Sequence, residues 1–350
     1  MGVFDHAEFD NHESLHYFHD VATGLKAIVA VHSTALGPAA GGTRRWVYSN
    51  DADALTDVLR LSRGMTYKNA VAGLNFGGGK AVILANDDAP KSAALFRSFG
   101  RCVNTLGGKY ITAEDVGCSV DDMRYVHEET EFVSGLPQSG GDAGGDPSPW
   151  TALGCFQGIE AAVQARLGVD SVKGLRVAVQ GVGHVGLYLC RHLHKAGAEL
   201  FVSDVSSDCL RQVESEMPVT VVPPADLLFA DADVLAPCAL GNILTSATIP
   251  KIRAKVIAGG ANNQLSTPAD GVRLAERDIL YAPDYVINAG GIISVAAEYY
   301  DNGSEEDVRA DVGRIKDRLK KIFEQARETG RPTHELADEL ARSIVAAARQ

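Results

Sequence analysis

The sequence predicts an α/β protein of two domains, and three observations carry that reading. A chain of 350 residues suits two ordinary domains better than one. Residues 134–149, SGLPQSGGDAGGDPSP, have the composition of a loop and make a natural boundary. Beyond that boundary, short apolar runs alternate with helical stretches, the pattern of a parallel sheet covered on both faces. The domains are expected over residues 1–135 and 150–328, with a last helix, 330–350, joining the first.

In the first domain, residues 24–33 (GLKAIVAVHS) form an apolar run rich in β-branched residues and read as a strand. The glycine-rich LGPAAGGTR follows as a turn. From Asn50 the spacing becomes helical, with Ala54, Leu55, Val58, Leu59 and Leu61 in phase and Asn50 or Asp51 able to cap the start. That helix runs into GMTYKNA. The segment GLNFGGGK is expected as a loop ending at Lys80, before a strand AVIL. A helix is expected over 92–106, then a strand-like KYITAEDVG.

The second domain should open with a helix over 151–165. Strands are expected at 175–181, 199–204, 219–222, 233–236, 255–259 and 285–288, with helices between several of them. After Gly290 the pattern is helical almost to Gln350; residues 307–329 are amphipathic, and Thr333 is placed to cap the last helix.

Composition removes several function classes. Hydrophobic residues make up 45% and charged residues 22%, as in an ordinary globular protein. The formal charge of -12 argues against nucleic acid, whose phosphates need a basic surface. No apolar run reaches the ~18 residues of a membrane span, and the acidic, polar start lacks the basic and apolar regions of a secretory leader. Six scattered cysteines include no C-x-x-C pair and no zinc-like spacing with histidine, so reduced thiols, no metal and a cytoplasmic setting are expected.

The clearest chemical motif is Gly181-Val182-Gly183-His184-Val185-Gly186. Alone, G-x-G-x-x-G is weak. Here an apolar strand leads in, a helix with Val185, Leu189 and Leu193 leads out, and Asp204 closes the next strand near the expected ~20-residue offset. Gly181 suits a tight turn, Gly183 lets backbone amides approach a pyrophosphate, and Gly186 lets helix and strand pack closely. Asp204 would receive ribose hydroxyls and repel a 2′-phosphate. The nearest following arginine is Arg211, so NAD is expected over NADP, bound by a Rossmann-type domain.

Two lysines stand apart from the solvated majority. Lys68 follows a largely apolar helix. Lys80 follows Gly77-Gly78-Gly79, whose missing side chains allow another group to approach, and a desolvated lysine is fitted for proton transfer. Asp115, beside Glu114, is the candidate acid. Spacing alone leaves open whether it faces a lysine, a substrate ammonium or solvent.

With LGPAAGGTR, RLSRGMTYKNAVAGLNFGGGKAVI, ITAEDVG, HEETEFVSG, DPSPWTALG, VAVQGVGHVG, VIAGGANNQL and YAPDYVINAGG in order, the chain resembles the glutamate, leucine, phenylalanine and valine dehydrogenase superfamily over nearly its whole length. In pattern it is most like the leucine-type members. The resemblance implies an N-terminal α/β substrate domain, a C-terminal NAD domain and an active site in the cleft between them. It implies that Lys80 is catalytic, that Lys68 pairs with the substrate carboxylate and that Asp115 handles protons at the amino group. Asn262 is implied near substrate and nicotinamide, and Thr151 at the nicotinamide amide. It further implies an L-amino acid, a 2-oxo acid and ammonia as small-molecule partners, and a homo-oligomer built from dimers, octameric or smaller.

For the side-chain pocket the resemblance points to Ala40, Gly41, Ala113, Ile292 and Val295. Ala113 and Ile292 narrow it toward leucine, valine or isoleucine. Ala40, smaller than the leucine of leucine-type enzymes, opens it toward phenylalanine or tryptophan. The expectation is an aliphatic substrate, with an aromatic one as alternative. No lysine or serine can be assigned to the distal carboxylate of glutamate. A catalytically silent NAD-binding relative is disfavoured by retention of Lys68, Lys80 and Asp115 together. A 2-hydroxy-acid dehydrogenase would need a histidine–carboxylate base, and His127 reads as structural. GGDAGG, residues 140–145, looks like a loop insertion.

Overall fold

The computed structural model describes residues 2–85, 90–136, 146–239, 241–300 and 304–349. The GGDAGG segment lies outside them. The chain divides into two units. One comprises Met1–Gly145, Val295–Glu305 and Ala341–Gln350, and the other Asp146–Ser294 and Glu306–Leu340.

The first unit contains β1 (Ser14–Asp20), β2 (Leu25–Ser33), β3 (Ala39–Ala40), β4 (Thr43–Trp46), α1 (Asp51–Ala72), β5 (Gly77–Leu84), α2 (Ala93–Asn104), β6 (Tyr110–Ile111) and α3 (Val120–His127). Its mixed sheet runs β1-β2-β5-β3-β6, with β4 continuing along the β3 edge of β5. β5 is therefore interior, antiparallel to β2 and parallel to β3 and β4. One face of the sheet, with Val29, Ala81 and Ile83, packs on Leu95, Phe96 and Phe99 of α2. The other, with Ile28, Ala30 and Val82, packs on Ala54 and Val58 of α1.

Local chemistry sets the bounds of α1. Asn50 accepts the Asp53 amide at 2.9 Å, a cap worth about 1 kcal/mol. Asp51 and Asp53 meet the positive end of the helix dipole, and Gly73 closes the helix in the left-handed region at φ 71°.

Two expectations for this unit are corrected. Gly77, Gly78 and Gly79 belong to strand β5 and not to a loop. Neighbours crowd them so closely that a Cβ on Gly78 would lie 2.1 Å from the Thr66 nitrogen of α1. Glycine in this strand marks close backbone approach. KYITAEDVG contributes only the short β6, followed by isolated bridges at Thr112 and Glu114. The polar start contains β1, an edge strand whose half-exposed residues lack an apolar signature.

The second unit opens with α4 (Ser148–Leu167). There follow β7 (Arg176–Gln180), α5 (His184–Lys195), β8 (Glu199–Ser203), α6 (Ser207–Glu216), β9 (Thr220–Val221), β10 (Val234–Pro237), β11 (Val256–Ile257), α7 (Pro268–Glu276), β12 (Leu280–Tyr281) and α8 (Asp284–Ile287). α9 (Gly290–Tyr299) starts in this unit and ends in the other, and so does α11 (Thr333–Ala348); α10 (Glu305–Thr329) lies between them. The sheet is parallel, in the order β12-β11-β10-β7-β8-β9. Counted from β7, this is the 3-2-1-4-5-6 order of a dinucleotide-binding fold, with its switch point between β7 and β10.

Two readings fail here. Residues 285–288 are not a strand: Asp284–Ile287 is the short helix α8, and the strand is Leu280–Tyr281. Pro283 cannot donate to a ladder, and Asp284 accepts the Tyr285 amide at 2.6 Å, so the apolar VI pair lies on a helical turn. Thr333 is the first residue of α11 and not its cap; its hydroxyl donates to the Tyr281 carbonyl at 2.6 Å.

Candidate active site

Lys80 is the fourth residue of β5 and pairs with Ala30 of β2. Strand alternation places it on the Val82 face, the one covered by α1. It is only 6% exposed, and an ammonium so enclosed requires a partner. Asp115 provides one, its Oδ2 lying 2.7 Å from Lys80 Nζ. β4 fixes the Asp115 segment: the Thr43 amide donates to Ala113 O at 2.8 Å and the Arg45 amide to Val116 O at 2.9 Å.

Burial alone would raise the proton affinity of Asp115. Lys80 and then Arg44 outweigh it and hold the carboxyl at about 2, so it is ionised at neutral pH. Arg44 Nε lies 3.5 Å from Asp115 Oδ2, while its Nη1 donates to Asp57 Oδ2 of α1 at 2.9 Å. The Tyr48 hydroxyl donates to the same Asp57 oxygen at 2.7 Å. Sequence reasoning missed Arg44, Tyr48 and Asp57. Arg44 carried a usable signal, since it closes LGPAAGGTR and sits within a strand segment.

The remaining candidates of this unit lie on neighbouring elements. Lys68 is half-buried in the last turns of α1, two residues beyond Thr66. Ala40 is buried in an apolar cluster with Phe76, Ile111 and Ala296. Gly41 packs against β5 so tightly that a Cβ would meet Gly79 O at 1.9 Å. Ala113 is half-buried two residues before Asp115. On α9, Val295 of this unit and Ile292, one turn earlier in the second unit, are half-buried.

In the second unit, Gly181 leaves β7 at the switch point with φ 86°, a conformation suited to glycine. Gly186 lets α5 approach the turn, for a Cβ there would fall 1.9 Å from Gly181 O. Gly183 is the N-cap of α5, and no side chain caps that end. A Cβ on Gly183 meets no atom within 4 Å, so the position borders open space beside the helix N-terminus. His184 and Val185 begin α5. Asp204 Oδ2 accepts the Val182 amide and Oδ1 the Ser206 amide, both at 2.8 Å. Arg211 is ion-paired with Asp208. An uncapped helix end, a side-chain-free approach and an acid at the end of β8 together fit a dinucleotide.

Asn262 is exposed, and its Oδ1 accepts from Nδ2 of the buried Asn288 at 2.7 Å. Asn288, which also donates to Gly260 O, is a positioning group that motif reading did not single out. The Thr151 hydroxyl donates to Pro147 O at 3.1 Å and lies against Gly291, where a Cβ would be 2.6 Å from it. Among the described residues no cluster of three or more His, Cys, Asp or Glu side chains could hold a metal. No helix among them is long and apolar enough to cross a membrane.

Comparison with known proteins agrees over the whole chain. A family model described as Glu/Leu/Phe/Val dehydrogenase, dimerisation domain, matches residues 12–132. A second, described as Glutamate/Leucine/Phenylalanine/Valine dehydrogenase, matches residues 144–210 and 204–350. A leucine dehydrogenase of Geobacillus stearothermophilus is 46% identical over 350 residues, covering 100% of this chain and 95% of that protein. A valine dehydrogenase of Streptomyces albus is 45% identical over 349 residues, covering 98% of this chain and 95% of that one. The crystal structure of L-tryptophan dehydrogenase from Nostoc punctiforme superposes with a TM-score of 0.83 at 45% identity, covering 97% of each chain. A buried lysine–aspartate pair in one unit and a dinucleotide turn in the other thus stand in a chain that belongs, by sequence and by fold, to the Glu/Leu/Phe/Val dehydrogenase family of amino-acid dehydrogenases.

Proposed function

We propose that this enzyme catalyses the reversible NAD-dependent oxidative deamination of an aliphatic L-amino acid (leucine, valine or isoleucine) to its 2-oxo acid and ammonia. The observation that carries the reading is the buried Lys80–Asp115 pair, 2.7 Å apart, in a chain of this family.

NAD+, when bound, supplies the hydride acceptor. The turn from Gly181 to Gly186, including Val182, His184 and Val185, would hold its pyrophosphate at the α5 N-terminus, with Asp204 at the ribose and Thr151 and Asn262 at the nicotinamide end. The negative charge of Asp204 and the engagement of Arg211 with Asp208 support NAD over NADP.

Lys68 fixes the substrate carboxylate as a point charge. Asp115 takes a proton from the substrate ammonium; a carboxyl held at about 2 is a weak proton store, so it passes that proton on. Loss of hydride from Cα leaves an imine. Lys80 then acts as general base for the water that attacks the imine carbon, and the carbinolamine collapses to ammonia and 2-oxo acid.

Ala113 and Ile292, with Val295 one turn away, support a pocket sized for an aliphatic side chain. A second reading, an aromatic substrate, is favoured by Ala40 and by the 46% identity to L-tryptophan dehydrogenase of Nostoc punctiforme. One methylene in such a pocket is worth ~1–3 kcal/mol, so opposed changes of this size decide preference and not reaction type. The dimerisation-domain match supports a dimer-based homo-oligomer, and six free cysteines support a reducing, cytoplasmic setting.

The test is NAD reduction followed at 340 nm with Leu, Val, Ile, Phe, Trp and Glu, and with 2-hydroxyisocaproate as control. Turnover of Leu, Val or Ile with little of Phe is the expected result. Preference for Phe or Trp would leave the reaction standing and overturn the aliphatic pocket. No turnover of any amino acid, with NADH binding intact, would leave a cofactor-binding relative.

A further inference from the structure

We propose that Arg44 is a positioning residue for the proton chemistry of Lys80: it divides the charge of Asp115 with the lysine and is itself held in place by Asp57. The proposal rests on the reading of Lys80 as general base.

Four charges of alternating sign stand in line. Lys80 Nζ is 2.7 Å from Asp115 Oδ2, which is 3.5 Å from Arg44 Nε; Arg44 Nη1 is 2.9 Å from Asp57 Oδ2. They come from β5, the segment after β6, β4 and α1. Arg44 pairs in register with Val82, so its side chain leaves the sheet on the face that carries Lys80. The side chains of Arg44, Asp115 and Asp57 are only 22%, 21% and 26% exposed, which limits screening. A planar guanidinium presents separate N–H groups to two carboxylates at once, which a lysine ammonium at this position would not reproduce.

The 3.5 Å contact to Asp115 is longer than a strong hydrogen bond, so the guanidinium acts there chiefly through its charge. Asp115 stabilises the protonated form of Lys80, and a general base must reach the neutral form. A second cation at the same carboxylate weakens that hold. Other ionisable groups that interact with Asp115 are the Tyr48 and Tyr110 hydroxyls and the Cys118 thiol, each kept neutral chiefly by burial and further by the carboxylate. Arg44 is thus a second cation, beside Lys80, that acts on Asp115. Asp57 tempers Arg44 in turn and ties it to α1, the helix that bears Lys68.

The test is the pH profile of kcat/KM for amino-acid oxidation by the full-length enzyme and by Arg44→Gln, Arg44→Lys and Asp57→Asn. Folding is checked by NADH binding and thermal unfolding. Arg44→Gln should move the ascending limb to higher pH by about one unit, a loss of about tenfold below it, with KM for NAD within twofold of the parent. Arg44→Lys should restore most of that shift while turnover stays reduced, because charge returns without the two-way geometry. Asp57→Asn removes an anion and should move the limb the other way. Reduced amplitude with unmoved limbs in Arg44→Gln and Asp57→Asn would overturn the proposal and leave a merely structural tie. Should Arg44→Gln fail to fold, the direction of the Asp57→Asn shift decides: acid supports the proposal, and none or alkaline overturns it. A parent enzyme silent on every amino acid would instead remove the underlying reading, and this proposal with it.

Discussion

Oδ2 of Asp204 accepts the amide hydrogen of Val182 at 2.8 Å, so the acid that follows β8 also closes the turn that follows β7. Its other oxygen holds the Ser206 amide. The carboxylate therefore shapes the dinucleotide turn as well as facing the expected ribose. Asp204→Ala removes both acceptors, at a cost of about 1–3 kcal/mol for a partly buried group left unmet. KM for NAD should rise at least about tenfold and the melting temperature should fall, while KM for the amino acid at saturating NAD stays within about twofold. Steady-state kinetics and thermal unfolding measure this, and an unchanged KM for NAD would refute it.

With Lys80 in its proposed role of general base, Lys80→Ala should reduce turnover by about a thousandfold or more, and it also removes the partner of Asp115. NADH fluorescence titration should give the parent affinity, because the dinucleotide turn lies in the other unit. Near-normal turnover in this variant would remove the mechanism.

Two glycines should respond in opposite ways. Gly78→Ala places a methyl 2.1 Å from the Thr66 backbone nitrogen and should destabilise by about 3 kcal/mol or more, visible as a lower melting temperature or loss of folded protein. Gly183→Ala places its methyl where no protein atom lies within 4 Å. Stability should hold to within about 0.5 kcal/mol, while NADH affinity falls at least about tenfold. Parent-like NADH affinity in Gly183→Ala would mean that the phosphates do not approach this backbone.

These contrasts also show what the sequence reveals and what it hides. α1 is legible because its signals are local, from Asn50 at the cap to apolar residues three and four apart. The second unit is legible because each strand buried on both faces is a continuous apolar run. The VI pair at Val286 and Ile287 misleads because two apolar residues fit a strand or a helical turn equally, and Pro283 and Asp284 settle the matter. Lys80 and Asp115 can each be picked out, yet their pairing cannot, for 35 positions separate them and only the sheet unites them. The pairing of Arg44 stays hidden for the same reason: its two carboxylate partners lie on a helix and on a distant loop.

Below neutral pH, His32 should govern part of the stability. Burial, then the ring of His12 with centroids 4.7 Å away, lowers its pKa to about 4, against the opposing pull of Asp10. The folded state therefore binds fewer protons than the unfolded state between pH 6.5 and about 4. Stabilisation is complete above that window and is lost as pH falls through it, by about 3 kcal/mol at the lower end. Thermal unfolding between pH 7.5 and 5 should show a declining midpoint that His32→Gln flattens. An equal slope in the variant would assign the decline to other groups.

The chain passes from one unit to the other four times, at 145/146, 294/295, 305/306 and 340/341, within α9, at the first residue of α10 and within α11. Neither unit is thus a single stretch of sequence. A gene fragment ending at Ser294 would cut α9 after five of its ten residues, and one ending at Leu340 would cut α11 at its midpoint. Exchanging the second unit among relatives by simple fusion would leave both helices as chimaeras. A change of cofactor preference is therefore better sought in point substitutions at the proposed ribose acid, Asp204, which leave α9 and α11 whole.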